Sequence, residues 1–84
     1  FLSEANISGA TLLHAELIKA DLRGAGIRET NLTEACLREA DLRGADLRGA
    51  ELIQSDLSHA NLSGADASET YLSGANLSGA DLSG

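Results

Sequence analysis

His14, Cys36 and His59 are the residues of this chain with the types to act as nucleophile, proton carrier or soft metal ligand. Around them lie 13 acidic and 6 basic residues, a net charge of -7 over 84 residues. A surplus of acid disfavours nucleic acid and anionic membranes as direct partners and favours a basic one. The single Cys36 excludes an internal disulfide and suits a reducing compartment, so a cytoplasmic location is expected. No apolar run reaches membrane length and no signal-peptide pattern opens the chain, so no membrane association is expected. Whether any of these groups meet depends on the elements that carry them.

Those elements are unusual. Aromatic residues are limited to Phe1 and Tyr71, and Trp, Met and Pro are absent. Leu and Ala supply nearly all the apolar mass, which argues against a conventional globular core. Counting in fives from Leu2 to Leu82, 14 of 17 positions are Leu, two are Ile (Ile7 and Ile27) and one is Ala67. Two residues before each centre, 13 of 16 positions from Ala5 to Ala80 are Ala, the others being Thr30, Ser55 and Thr70. Asp or Asn usually precedes the centre, Ser or Arg usually follows it, and Gly or Glu often stands fifth.

A five-residue step suits neither regular element. On a helix it turns about 500°, scattering the leucines round the cylinder; on a strand it alternates their faces. A short extended segment followed by a corner satisfies it. The central residue i and the Ala at i−2 then face inward, while i−1 and i+1 face outward. The chain bends at i+2, where Gly24, Gly44, Gly49, Gly64, Gly74 and Gly79 accept positive φ. Ile7 and Ile27, Arg23 and Arg43, and Arg28 and Arg48 each lie twenty residues apart, and Leu13 and Ile53 forty. A four-sided coil of twenty residues per turn aligns every pair; a three-sided coil of fifteen aligns none.

The recurrent A(D/N)L plus two variable residues, as in ADLRG, ANLSG and ADLSG, closely resembles the pentapeptide repeat proteins, across residues 1–84. That resemblance implies an all-β fold, a right-handed quadrilateral parallel β-helix with four repeats per coil, about four coils here. It also implies a cyanobacterial origin as a reasonable expectation. Departures from the pattern are local: Ala67 at a centre, Gly26, Cys36 and Tyr71 in place of Asp or Asn, and Thr30, Ser55 and Thr70 in place of Ala.

In this register Cys36 and His59 share a side but stand about 11 Å apart, and His14 lies on another side. No catalytic, metal or cofactor-binding constellation is expected, and a convex rod offers no deep pocket. Cys36 should be an exposed thiol, with a disulfide-linked dimer as one outcome. The favoured function is a non-enzymatic structural or protein-interaction solenoid with an unknown protein partner. Leu13, Ile53 and Tyr71 fall on the least charged side, with Thr11 and Thr33, and are the candidate partner contacts. Ile18 is a further outward aliphatic residue. The alternative function is an acidic DNA mimic. Some family members, the quinolone-resistance proteins, are thought to resemble DNA and bind topoisomerases, and DNA gyrase would be the target. Asp56, Asp66, Glu69 and Asp81 are its candidate surface, because residues 51–84 hold five acids and no Lys or Arg. The repeat runs from Phe1 to Gly84 without an evident cap, so either a longer chain or a second molecule, as in an end-to-end homo-oligomer, is expected to cover the ends.

Overall fold

The computed structural model describes residues 4–83, which wind into four coils measuring 26 × 24 × 23 Å overall. Phe1, Leu2 and Ser3 and the final Gly84 lie outside the described residues. Each repeat contributes one short parallel bridge to the repeat twenty residues on: Asn6 to Gly26, Thr11 to Asn31, Glu16 to Cys36, Asp21 to Asp41, and so on to Asn61 with Asp81. Four stacked sides result. Side 1 carries centres 22, 42, 62 and 82; side 2 carries 7, 27, 47 and 67; side 3 carries 12, 32, 52 and 72; side 4 carries 17, 37, 57 and 77.

Corners arise where the sequence places i+2. The N–H three residues after each centre donates back to the central carbonyl, as Ala25 N does to Leu22 O at 3.1 Å. The residue at i+2 has φ between 56° and 78° at every described corner, as the second central position of a type II turn requires. Gly44 takes this conformation at 69° with nothing within 4 Å of where a Cβ would stand. The same conformation is imposed on nine residues with side chains, among them His14, Glu29, Glu34 and His59. Their left-handed backbone costs about 1 kcal/mol each, so coil stacking must override local preference at these corners.

Inward positions form one continuous column of core. Leu22, Ile27, Leu32, Leu37, Leu42, Leu47, Leu52 and Leu57 are all buried, with Ala25, Ala35, Ala40, Ala45, Ala50 and Ala60 between them. Each buried Leu or Ile contributes roughly 1.5–3 kcal/mol relative to exposure. The Ala positions adjoin corners, where only Thr30, Ser55 and Thr70 are larger. The polar replacements there are satisfied internally: Thr30 and Thr70 hydroxyls donate to Ile7 O and Leu47 O, both at 2.9 Å, and Ser55 to Leu52 O at 2.8 Å.

Ala67 is the defect in the column. It stands above Leu47 on the last described coil, is exposed, and borders with Leu62, Thr70, Leu72 and Leu77 an apolar hollow of about 240 Å³ that opens to solvent. Ala67→Leu should therefore raise stability by about 1 kcal/mol. Thermal unfolding checks it; a fall in Tm would show that position 67 does not face the interior.

Candidate functional site

Hydrogen-bond accounting explains the outward residues. Of the five N–H groups in a repeat, four have backbone partners. The central N–H and the i+2 N–H donate to the next coil, as Leu22 N to Asp41 O and Gly24 N to Arg43 O. The i−1 N–H donates to the previous coil, as Gly26 N to Ala5 O, and the i−2 N–H closes the corner. The N–H of residue i+1 has no backbone partner and lies on the outer surface. An Asp or Asn at i−1 accepts from it through Oδ1, as Asn31 does from Thr33 N at 3.1 Å and Asp56 from Ser58 N at 3.0 Å.

The residue at i+1 then reinforces this cap. Ser or Thr donates its hydroxyl to the same oxygen, at 2.7 Å in Asp56–Ser58 and Asn31–Thr33. Arg folds back onto the carboxylate instead: Arg48 Nε reaches Asp46 Oδ1 at 2.8 Å and Nη2 reaches Oδ2 at 2.7 Å. Arg23 with Asp21 and Arg43 with Asp41 repeat the clamp. Arg23 also lies 3.9 Å from Asp41 and Arg48 3.7 Å from Asp66, linking successive coils. These are solvent-exposed pairs that orient the outer surface more than they stabilise it.

The side-chain hydrogen bond from Arg48 lowers the Asp46 pKa from 3.8 to about 2, against a smaller opposing effect of desolvation. Asp21 is lowered to about 2 in the same way by Arg23. Asp41, Asp56, Asp66 and Asp81 are also lowered, by Arg43 and by the Ser58, Ser68 and Ser83 hydroxyls respectively.

The titratable groups singled out in the sequence stay apart. Cys36 is half-buried, in the column between Glu16 and Asp56, and so differs from the exposed thiol expected of an outward position. His14 Nδ1 lies 3.0 Å from Glu34 Oε1 on the corner between sides 3 and 4. His59 occupies a corner of side 4, where its ring packs against Gly79. Among the described residues no three His, Cys, Asp or Glu side chains gather as a metal site. No helix is long and apolar enough to cross a membrane.

The four acids proposed as a mimic surface are spread round the coil: Asp56 on side 4, Asp66 on side 2, Asp81 on side 1, and Glu69 at the corner between sides 2 and 3. The three Asp residues cap the N–H of Ser58, Ser68 and Ser83. Leu13, Ile53 and Tyr71, by contrast, share side 3. Leu13 is 47% and Tyr71 60% exposed, and Ile53 is half-buried. What the residue pattern did not disclose is that their repeats lack the cap. Thr11, Glu51 and Tyr71 stand at i−1, and the N–H groups of Leu13, Ile53 and Ser73 have no acceptor among the described residues. The only signal available in sequence was the absence of Asp or Asn at those three positions.

A four-sided solenoid with an apolar interior and Asp/Asn-capped faces defines a structural class, and the comparisons give its family. Pentapeptide repeats match in 8 copies over residues 2–38, 27–64 and 50–84. The chain belongs to the pentapeptide repeat family, and its fold is the right-handed quadrilateral β-helix. It is similar to the crystal structure of alr5209 from Nostoc Pcc 7120, with 41% identity and a TM-score of 0.87 over 89% of this chain and 62% of that one. A pentapeptide repeat protein from the Arabidopsis thaliana thylakoid lumen gives 36% identity and a TM-score of 0.66, covering 94% of this chain and 62% of that one. Rfr23 from the cyanobacterium Cyanothece 51142 gives 32% and 0.55, covering 93% and 60%. The chain thus spans about three fifths of the length of these solved relatives. No curated protein matches it significantly.

Two outcomes follow from the caps. Asn31→Ala should cost about 1 kcal/mol in denaturant unfolding, while Asn31→Asp, which keeps the acceptor, should cost much less; equal losses would mean that the Asn31 side chain has no capping role. Because the folded pKa of Asp46 lies below its unfolded value, its contribution is complete above about pH 4 and lost as pH falls towards 2. NMR titration of Arg48→Gln should return Asp46 towards 3.8, and an unchanged midpoint would exclude the Arg48 hydrogen bond as the cause.

Proposed function

We propose that this chain is a non-enzymatic protein-interaction solenoid. Pentapeptide repeat proteins are in general structural or interaction proteins, and the observation that carries the reading here is the use made of the side chains. Inward residues fill the core, and most outward Asp, Asn, Ser and Arg residues hold the chain's own backbone. Chemistry on a substrate would require convergent groups that do not have this duty. A protein surface that meets another by shape and hydrogen bonding requires only a rigid display, which the stacked coils provide. A reducing cytoplasm suits the free Cys36; the likeness to a thylakoid-lumen protein makes that lumen the alternative compartment.

The acidic-mimic alternative rests on the absence of Lys and Arg from residues 51–84. The caps allow a clean comparison, because Asn retains the accepting oxygen of Asp. The combined variant Asp56→Asn, Asp66→Asn, Glu69→Gln and Asp81→Asn should fold, and it removes four negative charges. The interaction reading expects neither the parent chain nor the variant to alter DNA supercoiling by gyrase. Salt-sensitive inhibition by the parent, abolished in the variant, would overturn it in favour of the mimic.

A further inference from the structure

We infer that side 3 is a docking surface for a partner-protein segment that carries aliphatic residues beside Lys or Arg and offers its backbone carbonyls to the exposed amides of Leu13, Ile53 and Ser73. This rests on the interaction reading above and names the surface and the chemistry of the partner.

Three observations meet on that side. First, uncapped amides and outward aliphatic residues coincide. The i+1 N–H is capped in ten described repeats, at Ser8, Arg23, Thr33, Arg43, Arg48, Ser58, Ser63, Ser68, Ser78 and Ser83. None of those ten residues is aliphatic. It is uncapped at Leu13, Ile18, Arg28, Arg38, Ile53 and Ser73, which include all three aliphatic residues at this position. Second, side 3 holds three of these six amides, more than any other side, and Leu13, Thr33, Ile53 and Tyr71 form a nearly continuous band across them. A donor free of protein partners beside apolar surface is a place where a partner's carbonyl can bond while its side chains are buried.

Third, the border of this band fixes the sign of the partner's charge. Glu29, Glu51 and Glu69 surround Gly49 and Tyr71 in an open groove of about 690 Å³ at the junction of sides 2 and 3. None of the three forms an ion pair among the described residues. An ammonium or guanidinium seated there would meet carboxylates and the face of an exposed tyrosine ring. Charge decides between a segment and a second copy: another copy of this chain, at a net charge of -7, is repelled by the acidic border, whereas a short basic segment complements it.

The test uses a short blocked peptide alternating Leu and Lys, titrated at low salt into the isotopically labelled chain and followed by amide NMR. A Glu/Leu peptide of the same length serves as the control. Saturable shifts at Leu13, Ile53, Tyr71 and Ser73, at least about tenfold weaker for the Glu/Leu peptide, are expected. Thr11→Asn supplies a cap to the Leu13 amide without removing an apolar contact, so it should keep or raise Tm yet weaken binding several-fold. Glu51→Gln should weaken it as well. Saturable binding mapped to another side, or equal binding of both peptides, would overturn the assignment of side 3 while leaving an interaction protein standing. Absence of any saturable shift would overturn the docking inference itself. Salt-sensitive gyrase inhibition, not a peptide titration, is what would remove the underlying interaction reading.

Discussion

The fifth N–H of each repeat is the constraint from which the outer surface of this protein follows. Four of five amides find carbonyls in the adjoining coils or across the corner, and the fifth points to solvent beside the residue two positions earlier. An Asp or Asn there is short enough to reach it, and Ser, Thr or Arg at the amide-bearing residue can strengthen the same contact. The D-L-S and D-L-R phrases that recur along the chain are therefore backbone clamps. They account for much of the acid in a chain of net charge -7 without any appeal to a ligand.

The inner and outer halves of the repeat obey different rules. Inside, Leu over Leu and Ala beside each corner fill a tube whose burial must offset both chain entropy and nine left-handed corners that carry side chains. That requirement holds on all four sides equally, which is why the five-residue period persists through Gly26, Cys36 and Tyr71. Outside, a missing cap leaves an amide with water, a modest cost that individual repeats tolerate. Variation is therefore admitted on the outside, and sides can differ there without disturbing the fold.

Much of this was legible in the residue order. The leucine period, the lateral pairs such as Arg28 with Arg48, and the corner glycines together specify a square coil, and the bridges from Asn6–Gly26 to Asn61–Asp81 follow that register throughout. The grouping of Leu13, Ile53 and Tyr71 followed from the same arithmetic. Two things did not. Glu, His, Lys and Gln at positive φ carry no local signal, because the coil rather than the residue sets that conformation. The role of Asp and Asn was hidden because composition separates Asp as charge from Asn as neutral, whereas in both Oδ1 acts as a hydrogen-bond acceptor, supplied by Asn31 as well as by Asp56. Cys36 looked open by position but is half-buried within its stacked column.

Amide hydrogen exchange tests the capping account most directly, because it reads the fifth N–H one residue at a time. Within the well-packed middle coils, the amides of Thr33, Arg43, Arg48 and Ser58 should exchange slowly, whereas those of Arg28, Arg38 and Ile53 should exchange at nearly unprotected rates. Equal protection in the two groups would contradict the account, since the Asp and Asn side chains would then have no part in holding the outer face of the coil.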